Sequence, residues 1–208
     1  AGWLLFYKKI SRRFKLEEIL IFLDAGLLSK LSKYFGKGEY LRYDIINFSK
    51  NLAKKENLNC KQIFYYVAPP FQSEPPLKEE TKRKENYDQF IKKLLKNKEI
   101  VVREGRCQRL KIDGKFIFKQ KAVDSLMIMD LMRIPIDSPK IKKIILIASD
   151  SDFVPIIEYL RKLKIEIILY THYSKKRQSN LSRSNELLKV VNKYIEISKK
   201  DFEDCPLK

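Results

Sequence analysis

The sequence predicts an α/β protein, a mostly parallel sheet with helices over both faces, on three observations. The runs 18–23 and 143–149 are almost unbroken in Ile, Leu, Phe and Ala. They lack the polar alternation of a half-exposed strand, which fits strands buried on both faces. Strand-like and helix-like segments alternate along the chain, the rhythm of βαβ units. Both apolar runs stop at an aspartate, Asp24 and Asp150, and in open α/β sheets the ligand crevice lies beyond the carboxyl ends of the strands.

Residues 1–18 form a basic N-terminal segment, an aromatic patch from Trp3 to Tyr7 followed by Lys8, Lys9, Arg12, Arg13 and Lys15. It reads either as a basic amphipathic helix that docks on RNA or a partner, or as a helix that covers a flank of the core. The main domain spans 19–197, and 198–208 is a polar C-terminal tail. Within the domain, the first strand delivers Asp24, and Ala25-Gly26 lets the backbone turn tightly. A short helix or loop over 27–37 closes at Gly36-Lys37-Gly38, and a helix over 40–55 turns Leu41, Ile45, Phe48 and Leu52 inward. A strand at 62–68 runs into Pro69-Pro70 and Pro75-Pro76, which impose an extended connection.

The next helix, 77–96, has Tyr87, Phe90, Ile91, Leu94 and Leu95 as its inward stripe, and 99–103 is a strand. Residues 109–119 read as a β-hairpin insertion turning at Asp113-Gly114, a dipeptide that accepts the positive φ of a type I′ turn. Asp124 then falls in the first turn of a Leu/Met-rich helix over 125–133, where the helix dipole favours a carboxylate, and Pro135 ends that helix. The strand at 143–149 is followed by a helix at 153–164, a strand at 165–170, a helix at 180–192 and a short apolar piece at 194–197.

A chain of 208 residues suits one main domain, and its 44% hydrophobic content argues against disorder. Lys and Arg number 44 against 26 Asp and Glu, a net charge of +18, with a pI near 9.7. Such a balance points to a polyanionic partner, nucleic acid first, although Lys enrichment also arises from genome bias or a hot habitat. Cys60, Cys107 and Cys205 lack the paired spacing of a zinc site or disulfide framework. No apolar run is long enough to span a bilayer, and a cytoplasmic location is the expectation.

Asp24, Asp124 and Asp150, with Asp152 two residues further on, are acids that such a sheet would bring together. Clustered carboxylates repel unless protonated or bridged by a cation, and hard oxygen donors suit Mg²⁺ or Mn²⁺. Such ions polarise a phosphoryl oxygen and activate water, the chemistry of a nuclease. Ser149 and Ser151 have no partners for a catalytic triad, since His172 is the only histidine and no nucleophile-elbow motif is present. His172 is expected on the surface or in a loop. Asp130, about 120° around the helix from Asp124, is expected to face elsewhere.

Phe22-Leu23-Asp24-Ala25-Gly26, then Lys121-Ala122-Val123-Asp124, then Ser149-Asp150-Ser151-Asp152-Phe153 with Pro155, taken in this order, resemble the NYN family, the LabA-like branch of the PIN-like nucleases. The likeness runs over about residues 18–197. It implies a PIN-like three-layer α/β/α sandwich and a Mg²⁺- or Mn²⁺-dependent endoribonuclease, with Asp24, Asp124 and Asp150 as metal-binding acids. Asp152 lies in the same motif, bound to metal through water or capping the following helix. The chain departs from the family where Leu27-Leu28 follow the first acid, in place of a frequent Asn, and where Ala122 stands at a frequent Gly.

Arg103, Lys119 and Lys121 are candidate phosphate contacts, and Lys175, Lys176, Arg177 and Arg183 form a second basic patch. RNA is the expected partner, and a homodimer is left open as the assembly. The rival readings are an RNA-binding or scaffold module with the same fold, and a nuclease directed at DNA.

Overall fold

The computed structural model describes residues 16–173, 181 and 184–207. Six strands form one parallel sheet: β1 (Glu17–Asp24), β2 (Leu58–Val67), β3 (Ile100–Glu104), β6 (Lys143–Ile147), β7 (Glu166–Thr171) and β8 (Lys193–Glu196). Their spatial order is β3-β2-β1-β6-β7-β8. The chain therefore winds outward from β1 in one direction, then returns to β6 and winds in the other, which leaves a crevice between β1 and β6 at their carboxyl ends.

Apolar residues on both parities of the central strands make two cores. Ile19, Ile21, Leu23, Ile145 and Ile147 face one side, with α1 (Ala25–Phe35), α2 (Ile45–Lys55) and α7 (Lys199–Glu203) packed over them. Leu20, Phe22, Ile144 and Leu146 face the other, under α4 (Val123–Asp137), α5 (Val154–Lys162) and α6 (Asn185–Val190). This is the three-layer sandwich. A strand buried on both faces has no polar parity to show, so its sequence is a solid apolar run.

Several elements differ from the sequence expectation, each for a physical reason. Helix α2 begins only at Ile45, because Asp44 accepts from the N–H groups of Ile46 (2.9 Å) and Asn47 (3.0 Å) and caps it. Helix α4 continues through Pro135 to Asp137; the proline sits in the last turn, where little remains to disrupt. Helix α3 (Lys78–Leu94) buries only Glu80 and Leu94: Leu94 and Ile91 of its expected inward stripe join the first core, Tyr87 and Phe90 line a cavity, and Leu95 is exposed. Helix α6 is shorter than expected, with Ser184 as its cap.

The segment set apart as a polar tail is docked. Phe202 is 1% exposed and its ring meets those of Phe35, Tyr43 and Phe48. Asp201 is held below the usual carboxylate range: burial works against its charge, but the Lys55 ammonium and the N–H and hydroxyl of Ser198 outweigh it. His172 lies in the loop after β7, one of the two placements expected, but it is buried and not on the surface, its ring against those of Tyr34 and Phe35 and its Nδ1 3.0 Å from the Ile197 carbonyl. The three cysteines are free thiols.

The hairpin forms as expected. Strands β4 (Arg106–Ile112) and β5 (Lys115–Lys121) pair antiparallel as a separate two-stranded sheet, and Asp113 and Gly114 both have positive φ, 49° and 77°. Among the described residues no helix is long and apolar enough to cross a membrane. The N-terminal segment up to residue 15, and Lys175, Lys176, Arg177 and Arg183 of the second basic patch, lie outside the described residues.

Candidate functional site

At the carboxyl ends of β1 and β6 lies a cavity of about 670 Å³ whose walls include Asp24, Asp124 and Asp150. Each acid arrives on a different element. Asp24 ends β1 and caps α1, accepting from the Gly26 N–H at 2.7 Å. Asp150 follows β6 across Ala148 and Ser149 and caps a single 3₁₀ turn, Ser151–Phe153, accepting from the Asp152 N–H at 3.1 Å. Asp124 occupies the first turn of α4, next to the buried Val123. Strands β1 and β6 run in register, Leu23 beside Ile147, which brings the first two acids to the same end of the sheet.

Asp152 is exposed and is not among the cavity-lining residues. The cap in this motif is Asp150, and helix α5 has no side-chain cap of its own.

The carboxyl of Asp24 is pushed up, first by burial, against which the N–H groups of Leu27 and Gly26 and the charge of Lys30 act in its favour while Asp150 repels it. Asp124 is pushed up too, by burial first and then by repulsion from Asp24, Asp150 and Asp152, with Lys30 opposing. Four carboxylates thus share one electrostatic neighbourhood. Among the described residues, no three His, Cys, Asp or Glu side chains are gathered closely enough to hold an ion around one point; the acids ring a cavity. By its chemistry the set still fits a hard divalent cation, since all three are oxygen donors and Asp24, Asp124 and Asp150 repel one another, a repulsion that a cation would relieve.

Sequence reading missed much of the rest of the wall. Gly26, Ser29 and Lys30 all line the cavity, and their spacing of three and four along α1 was the available signal. A Cβ at Gly26 would stand 3.0 Å from Asp24 Oδ1 and 3.3 Å from Gln120 Oε1, so any larger residue there would require those side chains to give by a few tenths of an ångström. Tyr65, Tyr87, Phe90, Phe118 and Gln120 complete an aromatic and amide rim, drawn from β2, α3 and the hairpin.

The predicted phosphate contacts separate. Arg103 gives its fork to Asp130, Nε to Oδ2 at 2.8 Å and Nη2 to Oδ1 at 3.0 Å, and Tyr66 also donates to that carboxylate at 2.8 Å. This pairing accounts for Asp130, which does not line the cavity. Lys119 and Lys121 are exposed, but their cross-strand partners are Gln108 and Arg106. The register puts them on the face opposite to Phe118 and Gln120, away from the acids.

Ala122, immediately before α4, has φ of +67°. That left-handed conformation carries a Cβ penalty which Gly escapes. Ala122→Gly is therefore expected to stabilise the protein by about 1 kcal/mol, raising the thermal midpoint by about 2–4 °C; calorimetry of the two proteins checks this. Leu27 and Leu28 are 3% and 1% exposed, so these departures from the family pattern are core residues.

A search of curated proteins gives no match. Among solved structures the chain is similar to a protein of unknown function from Vibrio parahaemolyticus, at 16% identity and a TM-score of 0.56, over 90% of this chain and 96% of that one. That likeness is one of fold. The NYN domain model matches residues 18–198, most of the chain and all three acid-bearing blocks. This protein belongs to the NYN domain family.

Proposed function

We propose that this protein is a ribonuclease that hydrolyses RNA phosphodiester bonds endonucleolytically with Mg²⁺ or Mn²⁺ held by Asp24, Asp124 and Asp150. The observation that carries this reading is the convergence of three acids, from three separate elements, on one cavity at the switch point of a parallel sheet. Family membership supports it, because NYN domains are nuclease-like, and the charge of +18 favours a polyanionic substrate. A bound divalent ion would polarise the phosphoryl oxygen and supply a water of lowered pKa. The chain's own part is to orient and to balance charge. The cap bonds of Asp24 and Asp150 fix one oxygen of each carboxylate, and Lys30 is the cation placed to meet a phosphate oxygen beside them. Asp152, just outside, adds to the local negative potential.

Labelled RNA should be cleaved with Mn²⁺ or Mg²⁺ and left intact with EDTA. An RNA-binding module would instead shift RNA equally with and without the chelator, and a parallel DNA substrate separates ribonuclease from deoxyribonuclease.

The raised carboxyls also set a pH dependence. Groups whose folded pKa exceeds the unfolded value favour the fold while protonated; that contribution is full below the ordinary carboxylate value and is lost as pH rises through the raised one. A divalent ion binds the deprotonated form, so its affinity grows across the same window. The Mn²⁺-induced rise in thermal midpoint should therefore increase as pH is raised from the ordinary carboxylate range toward neutrality. A rise independent of pH would count against these ligands.

A further inference from the structure

The hairpin presents two different faces. Cross-strand pairs share a face, so Arg109 with Phe118 and Lys111 with Phe116 lie together on the side that carries Gln120 and borders the acid cavity. Phe116 and Phe118 are 56% and 54% exposed, unusual for large apolar rings on a solvent-facing ribbon. Packed among them, the Arg109 guanidinium lies 4.7 Å from the Phe116 ring centroid and 4.8 Å from that of Phe71, and Phe71 meets Phe118 at 5.6 Å. Planar groups thus run from the tip of the arm to the cavity mouth. The hairpin carries six cations, Arg106, Arg109, Lys111, Lys115, Lys119 and Lys121, against the single carboxylate of Asp113.

We infer that this face is a nucleobase-stacking surface that takes an unpaired strand of RNA and leads it to the acids. The inference rests on the ribonuclease reading above for the identity of the strand. Flat rings set in a cationic ribbon suit bases splayed out of a helix, because every base has a π-face and its phosphates meet the flanking charges. A duplex keeps its bases stacked on one another and offers these rings nothing. The opposite face, with Lys119 and Lys121, is left to track phosphates without contacting bases.

The test measures, in EDTA, the binding of a labelled single-stranded RNA of about twelve nucleotides to the full chain by fluorescence anisotropy. Phe116→Ala with Phe118→Ala should weaken binding by about tenfold or more, and Phe116→Trp should retain it, with circular dichroism confirming that all variants fold. The slope of affinity against salt should be unchanged in the ring variants and shallower in Lys111→Ala, because rings displace no counterions. A blunt duplex should bind with no dependence on the rings. Unchanged single-strand affinity in the double variant overturns the proposal. So does a loss accompanied by a change of oligomeric state in light scattering, which would make the rings a contact between copies of the chain. Cleavage of the same RNA with Mn²⁺ is scored separately: ring-dependent binding without any cleavage overturns the nuclease and keeps the surface, while cleavage with ring-independent binding does the reverse.

Discussion

Asp150→Asn is expected to lower metal-dependent RNA cleavage at least about a hundredfold while leaving the fold and its thermal midpoint nearly unchanged. The amide oxygen of Asn still accepts from the Asp152 N–H, so the 3₁₀ turn that Asp150 caps is kept. What is removed is one negative charge from the cavity wall. Asp24→Asn should behave alike in the cleavage assay but differently in stability. Its carboxyl is raised mainly by burial, so its charge opposes folding, and the neutral amide relieves this while preserving acceptance from Gly26. With EDTA the Asp24→Asn protein should therefore melt above the parent; with Mn²⁺ the order should narrow or invert, because only the parent gains from the ion. Cleavage by Asp150→Asn at the parental rate would remove the basis of the proposed chemistry.

Phe202→Ala should cost about 3–5 kcal/mol, a large share of a domain's stability. The ring is almost wholly buried and meets three others contributed by α1, α2 and the loop before α2. Truncation after residue 198 removes the same ring together with Asp201 and its contact with Lys55, and should destabilise at least as much. Denaturant titration of both proteins decides the point. Stability within about 0.5 kcal/mol of the parent would show that the contacts of 198–208 contribute little to the fold.

Much of the site was legible along the chain, and the reason is local. Asp24, Asp124 and Asp150 each follow a signal that acts over a few residues: a buried strand that must end, or a helix start that favours an acid. The hairpin was legible for the same reason, since Asp113-Gly114 encodes its own turn. Errors came where a residue's neighbours are distant in sequence. Leu77 to Leu95 has helical spacing, yet spacing alone does not reveal that the helix covers a cavity mouth. The burial of His172 in its loop was not legible, because its ring partners, Tyr34 and Phe35, lie far away in sequence on α1.

By itself the sequence determined the α/β class, the double burial of β1 and β6, the turn of the hairpin and the three acids at element ends, because hydrophobic runs, caps and turn residues act through the backbone beside them. Tertiary structure alone decided which groups share a space. It paired Arg103 with Asp130, turned Lys119 and Lys121 away from the acids, set Lys30 and Phe118 beside them, and drew Phe202 into the core. Those outcomes depend on strand order and register, which are set by packing across the whole sheet and leave no mark within any one segment.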